Sequence, residues 1–184
     1  MASAFSHAFV AVAAGKVLQH GSIPAKFWGL SIACSVLPDA DVLGYVIGIP
    51  YGHALGHRGL THSFSFALVL SIAVVWLGFP DVPPIRPRWW LLVTNFFLVT
   101  ASHGMLDAMT NGGLGIAFLA PFDNTRYFLP WRPIKVSPLE PNLFLSRYGI
   151  EVMISEVIWI WVPVGLMWGS VQLRRGIKEA RIRR

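Results

Sequence analysis

The chain has 184 residues, of which 54% are hydrophobic and only 13% charged, and its mean hydropathy is +0.56. A soluble domain carries about twice that charge, so the composition excludes an ordinary soluble globule and fits one membrane-embedded domain over residues 1–184. The net charge of +6 does not describe a nucleic-acid surface, because Arg174, Arg175, Lys178, Arg181, Arg183 and Arg184 crowd a tail directly after an apolar segment, as a cytoplasmic anchor does.

Phe5 to Leu18 is apolar, with His7 at its head and Lys16 near its foot, and predicts a helix too short to cross a bilayer, which takes about 20 residues. The first residues lack the basic start of a cleaved signal peptide, so this stretch is expected to persist. Gly21 and Pro24 mark a turn. Phe27 to Leu37 predicts a second helix ended by Pro38, with Val42 to Ile49 as its extension or a separate piece; together these form a short N-terminal helical pair. Pro50 to Thr61 is a Gly- and His-rich loop, and Thr61 or Ser63 can cap the next helix. Full spans are predicted at 62–79, 89–109 and 150–173. Between the last two lies a long stretch, residues 110–149, rich in Gly, Pro and aromatics; long loops of this kind are functional or disordered, and its aromatics favour an ordered, substrate-facing cap. The expected architecture is therefore all-α: an integral membrane bundle of about three full spans, the shorter pair, the cap loop and a basic tail at 174–184.

The polar residues stand out against this background. His57-Arg58-Gly59-Leu60-Thr61-His62-Ser63 carries two imidazoles, Leu37-Pro38-Asp39-Ala40-Asp41 two carboxylates, and His103-Gly104-Met105-Leu106-Asp107 an i, i+4 pair on one helix face. If successive helices run antiparallel, His7, Asp39, Asp41, His57, His62, His103 and Asp107 all fall at one end of the bundle. Ionisable residues near hydrocarbon are costly and read as functional. Cys34 is the lone cysteine, so any metal must be held by His, Asp or Glu. Seven candidate ligands exceed the need of one tetrahedral ion, which makes a two-metal hydrolytic centre an option beside a single ion. One aspartate can ligate while its neighbour orients a histidine or bridges two ions. Arg58 can neutralise an anionic substrate or contact interfacial lipid, and a free aspartate, Asp39, can serve as general base. Asn111, Asp123 and Asn124 follow the fourth helix on the site side, where turn chemistry explains them equally well. Glu151 and Glu156 lie near the head of the last span, where one can join the centre or complement the helix N-terminus. His20 and His53 have no partner in sequence.

PDAD, HRGLTHS and HGMLDAMTNGG, in that order and followed by a Pro-Phe element, resemble the YdjM-type family of LexA-regulated inner-membrane proteins assigned as metal-dependent hydrolases. The resemblance runs from His7 to about Phe122 and implies a prokaryotic inner-membrane protein with hydrolase activity. A more distant similarity, to the all-helical zinc-dependent phospholipase C and single-strand nuclease group, implies His103 and Asp107 as an HxxxD metal pair with Asp41 and His62 as further ligands. A later HxxxE element of that group is missing. The implied cofactor is one or two divalent ions, zinc first, with Mn, Mg or Fe as alternatives.

The expected function is hydrolysis of a phosphoester in a membrane lipid or lipid-linked substrate, with a cation that acidifies water. The alternative is a non-catalytic metal-binding membrane protein: a carrier, sensor or adaptor. The basic tail places the C terminus in the cytoplasm and the site on the extracytoplasmic face; Lys16, Lys26, Arg86 and Arg88 agree, whereas Arg126, Arg132, Lys135 and Arg147 pull the other way. Topology reporters fused after Ser137 and at the C terminus are expected to report opposite compartments, with Ser137 outside; a cytoplasmic Ser137 overturns this orientation.

Overall fold

The computed structural model of the protein describes residues 1–19 and 23–182. His20, the Gly21 turn and the terminal Arg183 and Arg184 fall outside the described residues. Among the described residues there are seven α-helices: α1 (Ala4–Leu18), α2 (Ala25–Val36), α3 (Phe64–Gly78), α4 (Pro87–Ala108), α5 (Pro141–Phe144), α6 (Arg147–Glu156) and α7 (Val162–Ile182). Two 3₁₀ segments, Leu37–Ile47 and Leu60–His62, and a π-helical turn, Val157–Trp161, complete the order. Among the described residues the only β pairing is two isolated bridges, Thr110 with Ile134 and Ile116 with Tyr127.

Three helical rods are long and apolar enough to cross a membrane: Ala25–Ile47, Pro87–Ala108 and Arg147–Ile182. The expected number of three stands, but one member changes. Pro38, which reads as a helix end, lacks a backbone N–H and disrupts the α pattern. Here the chain tightens into 3₁₀ geometry instead of stopping, until Gly48 turns it with φ 79°. The N-terminal rod of 23 residues therefore reaches about 40 Å at ~1.5 Å per α residue and ~2.0 Å per 3₁₀ residue. By contrast α3, read as a full span, has only 15 residues. Ser63 starts it, its hydroxyl accepting from Phe66 N; Pro80 stops it, since the residue before a proline is driven out of helical geometry.

α4 is the central element, touching α1, α2 and α3, while the last rod packs along α1. Phe27, Val75, Phe79, Leu92, Phe96 and Val99 fill the interior away from the site. Large apolar side chains also face outward, among them Val46, Val69, Leu77 and Leu166, which suits a surface bathed in lipid. Arg175 of α7 donates to the carbonyls of Lys16 and Val17 at the end of α1, satisfying acceptors that a helix C-terminus leaves open. The basic ends of α1 and α7 thus lie together, opposite the end that carries the polar motifs.

At the polar end the stretch after α4 folds back and is tied down by its backbone. Leu129 N donates to Ala108 O (3.0 Å), Ala117 N to Arg58 O (3.1 Å), and Ser137 N to Met1 O (2.8 Å); Phe118 O accepts from Phe64 N (3.0 Å). The cap is thereby ordered around the start of α3, the end of α4 and the N-terminal residues.

Candidate metal centre

The turn before α3 is shaped by backbone constraints. Arg58 adopts a left-handed conformation with φ 65°, a state that costs a non-glycine residue about 1–3 kcal/mol. It is held on both sides: its N–H donates to Asp41 Oδ2 (3.1 Å) and its carbonyl accepts from Ala117. Gly104 does a second job on α4. A Cβ there would lie 2.8 Å from His62 O, so only glycine lets the turn sit directly on the helix and bring His62 beside His103.

The consequence is a cluster of Asp39, His62, His103 and Asp107, with one ligand atom from each inside 4.8 Å. His62 Nε2 lies 3.1 Å from His103 Nε2. Asp39 Oδ1 is 3.3 Å from His103 Nε2 and 3.6 Å from His62 Nε2, and Asp107 Oδ2 is 3.9 Å from His62 Nε2. A tetrahedral zinc with ligands at about 2.0–2.1 Å sets their atoms roughly 3.3–3.4 Å apart, close to these separations. The protons are directed away from the centre. His103 Nδ1 faces Ser35 O at 2.7 Å, an acceptor that obliges Nδ1 to carry the hydrogen. His62 Nδ1 faces Asp41 Oδ2 at 3.1 Å. In the neutral rings both Nε2 lone pairs then meet head to head, and neither Asp39 Oδ1 nor Asp107 Oδ2 accepts a hydrogen bond, the latter having the Arg58 Nε ion pair at 3.2 Å beside it. Buried acceptors left in this way are costly; a cation between them removes the cost, so these residues fit a divalent ion.

Charge agrees. Asp39, Asp41 and Asp107 bring three carboxylates together, with Arg58 and the N-terminal ammonium, itself disfavoured by burial, as the neighbouring cations, so the site is one that a divalent ion suits. Asp107 and His103 are fully buried, where uncompensated charge is least tolerable. Asp39, with 12% of its side chain exposed, gives the centre its contact with solvent.

Asp39 and Asp41 part company because the 3₁₀ segment turns them to different sides. Asp41 Oδ1 meets His57 Nδ1 at 2.7 Å, and its Oδ2 accepts from Thr61 Oγ1 at 2.6 Å. A second potential ligand group, Asp41, His57 and His62, exists, but there the carboxylate oxygens already face donors. Asp41 is thus placed to orient His62, and His57 stands one step further out. Arg58 is buried and internally engaged: Nε lies 3.2 Å from Asp107 Oδ2, Nη1 donates to Gly112 O (2.7 Å) and Nη2 to Thr110 Oγ1 (3.0 Å). This corrects the expectation of a guanidinium offered to substrate, since Nη1 and Nη2 are hydrogen-bonded to protein and Nε is turned to Asp107 inside the buried site. His7 stacks on His103 with ring centres 3.7 Å apart, its Nε2 3.5 Å from Asp107 Oδ1. Neither His7 nitrogen has a hydrogen-bond partner among the described residues.

Other residues singled out in the sequence serve structure. Asn111 Oδ1 accepts from Val136 N, Asp123 Oδ1 from Thr125 N, and His53 Nδ1 from Leu55 N; Asn124 is exposed. Glu151 pairs with Lys135 at the surface. Glu156 is fully buried and joined to the N-terminal residues, a role that sequence reasoning missed; Pro163, within helix-stop range, was the available signal.

Burial opposes a charge on His62, yet Asp39 and Asp41 outweigh it and raise its pKa to about 9 in the metal-free protein.

The YdjM inner membrane protein family matches residues 1–176. The "Inner membrane protein YbcI" of Escherichia coli (strain K12) is 38% identical over 175 residues, 95% of this chain and 99% of that protein. No solved structure matches.

A ligand must be deprotonated to bind metal. Below pH ~9 an ion has to displace the His62 proton, so apparent zinc affinity is expected to rise about tenfold per pH unit between pH 6 and 8 for one proton released. Competition titrations against a chelator of known pH dependence check this; a flat profile contradicts it.

Proposed function

The chain belongs to the YdjM inner membrane protein family, and from that premise we propose that it is a membrane-bound hydrolase using one divalent ion, zinc first, on a phosphoester at lipid headgroup level. The observation that carries this reading is the convergence of the His62 and His103 Nε2 atoms, 3.1 Å apart, on oxygens of Asp39 and Asp107 that accept no hydrogen bond. Two imidazoles and two carboxylates near tetrahedral spacing favour zinc over magnesium, which asks for octahedral oxygen.

A bound divalent ion supplies Lewis acidity, acidifying a water and polarising the ester. The chain's residues supply the rest. His62, His103, Asp39 and Asp107 hold the ion. Asp41 and Ser35 O fix the ring orientations, as outer partners of metal-ligating histidines do. Arg58 holds Asp107 in place and offsets its charge. Asp39 touches solvent, so water and substrate arrive on its side, and its second oxygen can take the proton of the attacking water. His7, stacked on His103 with Nε2 3.5 Å from Asp107 Oδ1 and neither nitrogen hydrogen-bonded, holds the His103 ring in place against the centre.

Position along the N-terminal rod supports the headgroup assignment. Counting along α2 and three residues of 3₁₀ helix, Asp39 stands about 24 Å from Ala25, near the far edge of a hydrocarbon core ~30 Å thick. The basic residues Lys16, Lys26, Arg86, Arg88 and those of the tail sit at the opposite end, which favours an extracytoplasmic site. The second reading, a metal carrier, sensor or adaptor, draws on the burial of His62, His103 and Asp107.

Metal analysis of detergent-purified protein, beside His62→Ala and Asp107→Ala, tests both. Wild type is expected to carry one ion per chain and to cleave a phospholipid or phosphate monoester, with both variants losing the metal and more than about 100-fold of the activity, beyond the loss typical of an outer partner. Unchanged metal content in both variants sinks the centre; metal without turnover selects the binding reading.

A further inference from the structure

Glu156 is fully buried within the last rod, where an ionisable side chain is expensive unless it serves a purpose. Among the described residues it has no salt-bridge partner; three hydrogen-bond donors from the N-terminal residues and α1 meet it, and Trp161 of the π turn backs one of them. Ser3 N donates to Oε1 (2.5 Å), and the hydroxyls of Ser3 and Ser6 donate to Oε2 (2.5 and 2.6 Å). Ser6 Oγ in turn accepts from Trp161 Nε1 (2.8 Å).

That grip depends on the π turn. At 3.6 residues per turn, positions five apart point about 140° apart on an α-helix, so Glu156 and Trp161 would not meet one hydroxyl. Pro163 removes a donor and crowds the carbonyl of Trp159. Across the bulge the Val162 N–H bonds to Val157 O, an i→i+5 step that brings both side chains to the face against α1.

One residue earlier, Ala2 N donates to Asp107 Oδ1 at 2.6 Å. Ser3 is extended, with φ −71° and ψ 153°, so successive N–H groups point to opposite sides: one to α4, the next to the last rod. Ser137 N holds the preceding carbonyl of Met1. The N-terminal residues are therefore stretched between a metal ligand and Glu156.

We propose that Glu156 is a positioning residue of the metal centre: through Ser3 and Ala2 it sets where Asp107 stands, and with it the coordination geometry. The proposal rests on the metal reading above. A purely structural staple between α1 and the last rod would affect stability alone; a positioning residue changes the ion's surroundings in protein that is folded.

The test is cobalt(II) titration of the full chain in detergent, reading affinity and the visible ligand-field bands, with helical circular dichroism as the fold control. Glu156→Gln keeps the size but turns an acceptor into a donor facing the serine donors. Its cobalt affinity is expected to fall about tenfold or more, the scale seen for outer partners of metal ligands, with shifted bands and unchanged helicity. Ser3→Ala, which removes one hydroxyl donor and the α1 cap but keeps the carboxylate and its bond from Ser3 N, is expected to move both readouts in the same direction by less at unchanged helicity, and decides the matter if Glu156→Gln does not fold. Wild-type affinity and bands in the folded variant overturn the positioning role while leaving the metal centre standing. Absence of cobalt binding by the wild type overturns the metal centre itself.

Discussion

Two imidazole nitrogens 3.1 Å apart repel one another as neutral rings with their protons on the far side, unless a proton or another cation lies between them. Much of the polar end of this protein serves to impose that contact. Gly104 lets the turn approach α4, Arg58 accepts a strained backbone so that the turn can close, and Asp41 and Ser35 O point the rings inward. A proton on His62 relieves the conflict in part, and the Asp39 and Asp41 carboxylates beside the ring favour it, raising its pKa. A divalent ion relieves it fully and offsets carboxylate charge as well.

The membrane setting makes the constraint stronger. Burying three carboxylates beside hydrocarbon costs several kcal/mol per uncompensated ion, and the chain meets that cost with Arg58, hydroxyls, backbone donors and a site shaped for a cation. Apolar residues do the opposite work at the other end, where α1 to α4 pack around Phe27, Phe96 and Val99. The bundle thus separates a conventional apolar interior from a polar chamber, and α4 runs through both.

What could be read in the sequence follows from that separation. In an apolar chain, Asp39, His62, His103 and Asp107 are conspicuous, and alternating helix directions bring them to one end. The division between Asp39 and Asp41 was left open, because it depends on 3₁₀ rather than extended geometry after Pro38. Arg58 looked like a substrate contact because nothing local shows that Gly112 O and Thr110, more than fifty residues away, absorb its donors. Pro38 read as a stop hid the length of the N-terminal rod, and the shortness of α3 followed from its two caps. For Glu156 the sequence offers a place in the centre or a charge at a helix start; its partners Ser3 and Ser6 lie 150 or more residues distant, and no periodicity encodes so remote a pairing.

X-ray absorption at the zinc edge on the metal-loaded protein examines the central contact directly. The expected spectrum has four nitrogen or oxygen scatterers at about 2.0–2.1 Å and the outer-shell pattern of two imidazoles. A spectrum with one imidazole or none contradicts the meeting of His62 and His103 on a single ion.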